Sequence, residues 1–279
     1  MLKSISAWAF DPQRPAAEIF KIANDCGFAG VEVSIGEGGT PANQVWLDSS
    51  EDDCKRLAEQ AQSAGVQLAG LASGLGWGKP LTHPDTQAAG MDAVRKSLQV
   101  AKWLGVNAIL VVPGGVGAEF IDGFRGARYD KAYDSALAAL KELKGTAEDL
   151  GVSIGVENVW NKFLLSPLEF RAFVDEIGSD NVGVYFDVGN VILTGYPEQW
   201  IKILGPRIKR IHFKDFKREV GNLSGFCDLL DGDVNFPAVM AALREIGYTG
   251  PVTSEFFNCE ADLPKISAAM DEILKKPEE

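Results

Sequence analysis

Histidine is nearly absent from this sequence: its 279 residues include two, His83 and His212. Metal centres built from several imidazoles therefore lack ligands. Cysteine is scarce too, with Cys26, Cys54, Cys227 and Cys259 far apart and no CxxC pair. That spacing supports neither a disulfide framework nor a zinc ribbon, so the thiols read as reduced and structural. Positive charge is also short, 27 Lys and Arg against 39 Asp and Glu, for a formal charge of −12. A surface of that sign repels phosphate backbones and anionic headgroups, so neither nucleic acid nor membrane is an expected partner. No apolar run approaches the about 20 residues of a bilayer-spanning helix, and the opening run is cut at Asp11-Pro12. Neither an export signal nor a membrane span is expected, which places the chain in the cytoplasm.

What is present is ordinary for a globular chain: 46% hydrophobic residues, 24% charged and 30 glycines, excluding disorder and collagen-like repeats. Short Val- and Ile-rich runs recur, and each is followed by a helical pattern. The expected strands are Lys3–Ala7, Gly30–Ser34, Gln67–Ala72, Asn107–Val112, Val152–Glu157, Val182–Asp187, Arg210–Phe213 and Val252–Glu255. The helices between and after them are Ala16–Cys26, Glu51–Ala64, Gln87–Leu104, Tyr129–Leu150, Pro167–Ile177, Glu198–Leu204, Phe236–Ile246 and Leu263–Lys275. Proline near helix starts (Pro15, Pro167, Pro197, Pro237) and glycine past their ends (Gly65, Gly105, Gly151, Gly178) follow the expected asymmetry.

Strict βα alternation requires a parallel sheet with right-handed crossovers. An open sheet would need a nucleotide fingerprint, and neither Gly36-Glu37-Gly38-Gly39 nor Gly74-Leu75-Gly76-Trp77-Gly78 matches GxGxxG or a P-loop. The expected fold is therefore α/β, a single (β/α)8 TIM barrel occupying residues 1–279 as one domain.

In such a barrel the chemistry sits where strands end. Four consecutive strands end in ligand-type side chains: Glu157, Asp187, His212 and Glu255. Singly, each acid also reads as a helix cap or ion-pair partner, and His212 as an interior histidine; spacing alone leaves both readings open. Converging carboxylates without a cation would repel. Three oxygens and one nitrogen suit Mn²⁺, Mg²⁺ or Co²⁺ ahead of Zn²⁺.

The segments Val156-Glu157-Asn158, Phe186-Asp187-Val188-Gly189-Asn190, Ile211-His212-Phe213-Lys214-Asp215 and Ser254-Glu255 resemble the metal-site motifs of the xylose isomerase-like TIM-barrel superfamily. Within it they are most similar to the L-ribulose/L-xylulose 5-phosphate 3-epimerases and D-tagatose 3-epimerases. The resemblance implies Glu157, Asp187, His212 and Glu255 as metal ligands, with Glu157 and Glu255 also the acid/base pair of a ketose 3-epimerisation. It implies a sugar or sugar phosphate as substrate and a homodimer or homotetramer as assembly. Asn190 stands where free-ketohexose enzymes carry a histidine, and Phe163 where they carry a second glutamate. Arg218 matches a substrate-contacting arginine.

Other candidates come from position alone. Glu32, read as ending strand two, could hydrogen-bond a ligand or a metal-ligand neighbour, or serve a structural role. Trp8, Trp77 and Trp160 could wall a sugar, or merely pack. Lys214, Lys217 and Arg218 form a basic cluster, a substrate clamp or a solvated loop. His83 reads as a lid or surface residue. Aldose–ketose isomerisation and dehydration of a keto-inositol or keto-sugar are alternatives on the same scaffold. Abasic-site endonuclease is disfavoured by the two histidines and the acidic surface, and a non-catalytic sugar-binding barrel by the intact ligand set.

Overall fold

Along most strands alternate residues face opposite sides, one toward surrounding helices and one toward the barrel interior. The computed structural model describes residues 1–38, 44–257 and 259–275. The barrel strands are β1 (Leu2–Ser6), β2 (Gly30–Gly36), β3 (Gln67–Ser73), β4 (Ala108–Val111), β5 (Ser153–Glu157), β6 (Val182–Asp187), β7 (Ile208–Phe213) and β8 (Pro251–Ser254). They pair in parallel in the order β1-β8-β7-β6-β5-β4-β3-β2, and pairing of β1 with β2 closes the ring. Helices α1 (Ala16–Asp25), α2 (Glu51–Ser63), α3 (Pro84–Leu104), α4 (Tyr129–Leu150), α5 (Pro167–Ile177), α6 (Pro197–Leu204), α7 (Phe236–Glu245) and α8 (Leu263–Leu274) follow the strands in turn.

The outward phase of the strands, including Ile5, Val31, Val33, Ile109, Ile154, Val184, Phe186 and Ile211, packs with helix residues such as Leu98, Leu140 and Phe173 into one core. The inward phase is unusually polar. Ser4, Glu32, Glu157, Tyr185, Asp187, Arg210, His212 and Thr253 are all buried. Ser4 and Thr253 share a hydroxyl hydrogen bond of 2.5 Å. Lower down, Arg210 donates to the Ala69 carbonyl at 2.8 Å and the Lys209 carbonyl at 2.7 Å, and also meets Asn107.

Glycine makes room for the largest of these groups. A Cβ at Gly70 would lie 2.6 Å from the Tyr185 hydroxyl and 3.2 Å from Glu32, and one at Gly155 would lie 2.8 Å from the Tyr185 ring. Pairing registers shift between Val31 and Glu32 and between Val184 and Tyr185. Such irregularities re-aim side chains, and here they flank the two residues that meet across the barrel.

All eight expected strands and helices are present, with ends displaced by a few residues. The largest displacement is α3, which starts at Pro84 because His83 caps it, its Nδ1 accepting the Asp85 N–H at 3.3 Å. His83 is thus a helix cap, not a lid. Ser50, Ser166 and Asn235 likewise cap α2, α5 and α7, each contact being worth about 0.5–2 kcal/mol. Gly39, in the glycine-rich run after β2, lies outside the described residues. A short strand, Gln44–Trp46, pairs in parallel with the end of β2, and a two-stranded ribbon of Asp215–Phe216 and Phe226–Cys227 rises from the barrel mouth.

Candidate metal centre and active site

Parallel register brings the chemistry to one rim. Asp187 pairs with His212, His212 with Thr253, and Glu157 with Tyr185. Glu255 extends β8 through its N–H to the Phe213 carbonyl at 3.2 Å. Glu157, Asp187, His212 and Glu255 are all buried, and each offers one ligand atom within 4.8 Å of the others.

The orientation of His212 is fixed from behind. Its Nε2 lies 2.9 and 3.1 Å from the two Glu32 carboxylate oxygens, and Glu32 also accepts from the Tyr185 hydroxyl. That contact places the proton on Nε2 and turns Nδ1, a lone-pair donor when the ring is neutral, toward the three carboxylates. Nδ1 stands 2.7 Å from Glu255 Oε2 without hydrogen-bond alignment. Asp187 Oδ2 and Glu255 Oε2, both beside the Lys214 ammonium, are likewise buried without an aligned hydrogen bond. Buried polar atoms are rarely left so. Three buried ligand-type atoms without aligned hydrogen bonds on three neighbouring strands, with Glu157 beside them, fit one divalent cation with open positions for a substrate.

Asparagines set the carboxylate positions. Asn158 and the Asp187 backbone exchange two hydrogen bonds of 2.8 Å. Asp187 Oδ1 accepts the Asn190 N–H at 2.9 Å, and Asn190 Nδ2 donates to the Asn158 carbonyl at 2.9 Å. Trp160 Nε1 closes the network on the Asn190 carbonyl at 3.0 Å.

Lys214 is the internal cation of the site. Its Nζ lies 2.7 Å from Glu255 Oε2 and 3.1 Å from Asp187 Oδ2. Burial opposes its charge, but Asp187, Glu255 and Glu157 outweigh that and hold the ammonium above its ordinary value. Burial and the Glu255 charge push Glu157 up to about 8. Glu255 is also buried, but Lys214 and His212 bring it down to about 2. Burial works against the His212 imidazolium, and Glu32 and Glu255 overcome it, so the ring sits well above its ordinary value. A divalent cation and these protons therefore compete for the same atoms.

Glu157 and Glu255 reach the wall of a cavity of about 790 Å³ lined also by Trp8, Trp77, Trp160, Asn190 and Lys214, while Asp187 and His212 lie buried behind it. Two readings need correction. Glu32 does not end its strand: it sits in the middle of β2, wholly buried, and braces His212 rather than lining the cavity. The basic cluster does not form either. Lys214 turns into the carboxylates, whereas Arg218 is exposed, donates to the Ile192 carbonyl at 3.1 Å and lies 5.5 Å from the Tyr196 ring centre. Phe163, where a second glutamate was a point of comparison, packs against Tyr129, Tyr133 and Phe173.

Asp215 was missed altogether as a structural residue. Its carboxylate accepts four backbone N–H groups, Phe216 at 2.8 Å and Leu230, Gly232 and Val234 at 3.0 Å each. It thereby folds the loop carrying Asp228 over the mouth.

A sequence profile described as "Xylose isomerase-like TIM barrel" matches residues 20–276. The chain belongs to this family. Among its relatives are an uncharacterised protein of Methanocaldococcus jannaschii, 28% identical over 59% of this chain and 56% of that one, and the L-ribulose 3-epimerase of a Methylomonas species, 29% identical over 67% and 62%. The chain thus spans under two thirds of the length of both. The L-ribulose-5-phosphate 3-epimerase of Salmonella paratyphi C is 24% identical over 96% of this chain and 92% of its own. In fold, this xylose isomerase-like barrel is similar to the D-psicose 3-epimerase of Clostridium cellulolyticum, with TM-score 0.79, 17% identity and 98% of each chain covered.

Proposed function

We propose that the chain is a divalent-metal-dependent ketose 3-epimerase, with Mn²⁺, Mg²⁺ or Co²⁺ held by Glu157, Asp187, His212 and Glu255. The observation that carries this reading is the convergence of three carboxylates and one imidazole nitrogen, all buried and within 4.8 Å of one another, at the barrel mouth. The named 3-epimerases among the relatives support it.

When bound, the cation would polarise the substrate carbonyl and offset the negative charge that develops on its oxygen as the neighbouring carbon loses a proton. The chain supplies the proton transfers. Glu157 ends β5 and Glu255 follows β8, so the two carboxylates reach the cavity from different strands. Two carboxylates on opposite faces of one carbon serve as base and acid. One takes the C3 proton from one face of the sugar and the other delivers a proton to the opposite face, inverting C3. Lys214 neutralises part of the cluster and donates to a substrate oxygen. Asn190, Trp8 and Trp160 border the space the sugar occupies.

Incubating the metal-loaded protein with ketoses in deuterated water tests this. The expected result is label at C3 with inversion there. Label at C1 or C2 would instead indicate aldose–ketose isomerisation, and loss of water a dehydratase.

A further inference from the structure

The cavity above the cluster has two unlike sides. All the charged side chains among the described lining residues, Glu157, Lys214, Asp215, Asp228 and Glu255, come from the half built after β5 to β8. The half built on β1 to β4 presents Trp8, Ile35, Leu75, Trp77, Leu110 and Phe120. Its polar side chain is Ser73, whose Oγ already accepts the Leu75 N–H at 3.2 Å. A substrate whose reacting carbons lie on the carboxylates must lay its remainder over this apolar half.

A phosphoryl group is poorly served there. Lys214 is the one cation among the described lining residues, and its charge is already offset by two carboxylates, Asp187 and Glu255. Lys79 and Lys162, on the β3 and β5 loops, are paired with Glu37 and Glu119. A dianion over this half would meet carboxylates across the cavity and, among the described lining residues, no unpaired cation. The exposed Lys217 lies instead beside Cys227 on the opposite, charged side. An unpaired buried charge is strongly unfavourable. A chain of free hydroxyls would also lose hydrogen bonds to water without replacing them.

An apolar ring face is well served. Trp8 stacks on Phe257 with centroids 5.5 Å apart, and Trp77 meets Phe120 at 5.3 Å. Phe257 and Phe120 remain 61% and 40% exposed at the rim, so there is aromatic surface left to cover. The volume of about 790 Å³ equals roughly two dozen waters at about 30 Å³ each, more than a single ketose fills. A second, mainly apolar cavity of about 690 Å³ adjoins it, sharing Phe120, Trp160 and Leu223.

We infer that the site takes an uncharged ketose extended by a substituent with an apolar ring face, and that it selects against sugar phosphates. This deepens the epimerase reading and rests on it. The ring face belongs to an aryl group or to a second sugar, and the two are separate arms of the test.

Dissociation constants measured by calorimetry on the metal-loaded protein decide it, using alditols that bind without reacting. Four ligands are compared: the alditol of a ketose, its terminal phosphate, its terminal aryl ether and its terminal glycoside. The phosphate is expected to bind at least about tenfold more weakly than the parent, and the aryl or glycosyl form at least about tenfold more tightly. Trp77→Lys and, at the exposed rim, Phe120→Lys should each narrow both differences. A phosphate that binds as well as the parent, or ring-bearing forms that gain nothing, would overturn the inference. So would failure of the whole series to bind. Because no turnover is involved, these outcomes are independent of whether C3 exchanges in deuterated water.

Discussion

His212 Nε2 and Glu32 Oε1 lie 2.9 Å apart across the barrel interior, both side chains wholly buried. This pair links the middle of β2 to the end of β7 and decides which imidazole nitrogen faces the carboxylates. Carboxylates placed behind a metal-binding histidine typically tune affinity by about 10–100-fold. Glu32→Gln should weaken divalent-cation binding by about that factor, while activity at saturating metal largely recovers. A metal titration followed by turnover at high metal checks both halves.

Gly70 tests the same brace from the opposite side. A methyl group there would intrude on the Tyr185 hydroxyl at 2.6 Å, and overpacking of this kind costs about 1–3 kcal/mol. Gly70→Ala should lower the thermal midpoint by several degrees and weaken metal binding along with it. Thermal unfolding with and without metal measures the two effects.

Lys214 competes with any cation for Asp187 and Glu255. Lys214→Met should therefore tighten divalent-cation binding, roughly tenfold or more for a charge this close, and destabilise the metal-stripped chain. Catalysis should fall even so. Calorimetry, unfolding and turnover on one variant separate these effects.

The metal-stripped protein should lose stability as pH rises from about 6 to about 8.5. Glu157 holds its proton up to about 8 when folded and releases it at ordinary carboxylate values when unfolded. The folded state thus binds more protons across that window, and unfolding becomes easier as pH rises through it. His212, also raised, acts in the same direction once pH exceeds its unfolded value. Glu255, lowered to about 2, is ionised in both states there and contributes no slope. Thermal midpoints of chelated protein should fall over this range, less steeply for Glu157→Gln and for metal-loaded protein.

Periodicity made the architecture legible, because apolar runs such as Ala108–Val111 and the capped helices between them are local signals. Glu157, Asp187, His212 and Glu255 were visible because each ends a strand, and strand ends are where this fold gathers side chains. Glu32 was misplaced because β2 runs to Gly36, further than the apolar run suggested. Its partnership with His212 and Tyr185 spans 180 and 153 residues, which no local pattern reports. Lys214 and Arg218 looked alike as neighbouring bases. The backbone turns one into the carboxylates and leaves the other exposed beside Tyr196. The role of Asp215 depends on a loop closing back on it 15 to 19 residues later, which only tertiary structure reveals.

The most direct measurement is a calorimetric titration of chelator-treated protein with Mn²⁺, set beside the same titration of Asp187→Ala and His212→Ala. Shared ligation by four strands predicts one ion per chain for the wild type and severe weakening in each variant, with both variants still folded. Uptake of no ion, or of one that neither substitution disturbs, would contradict it.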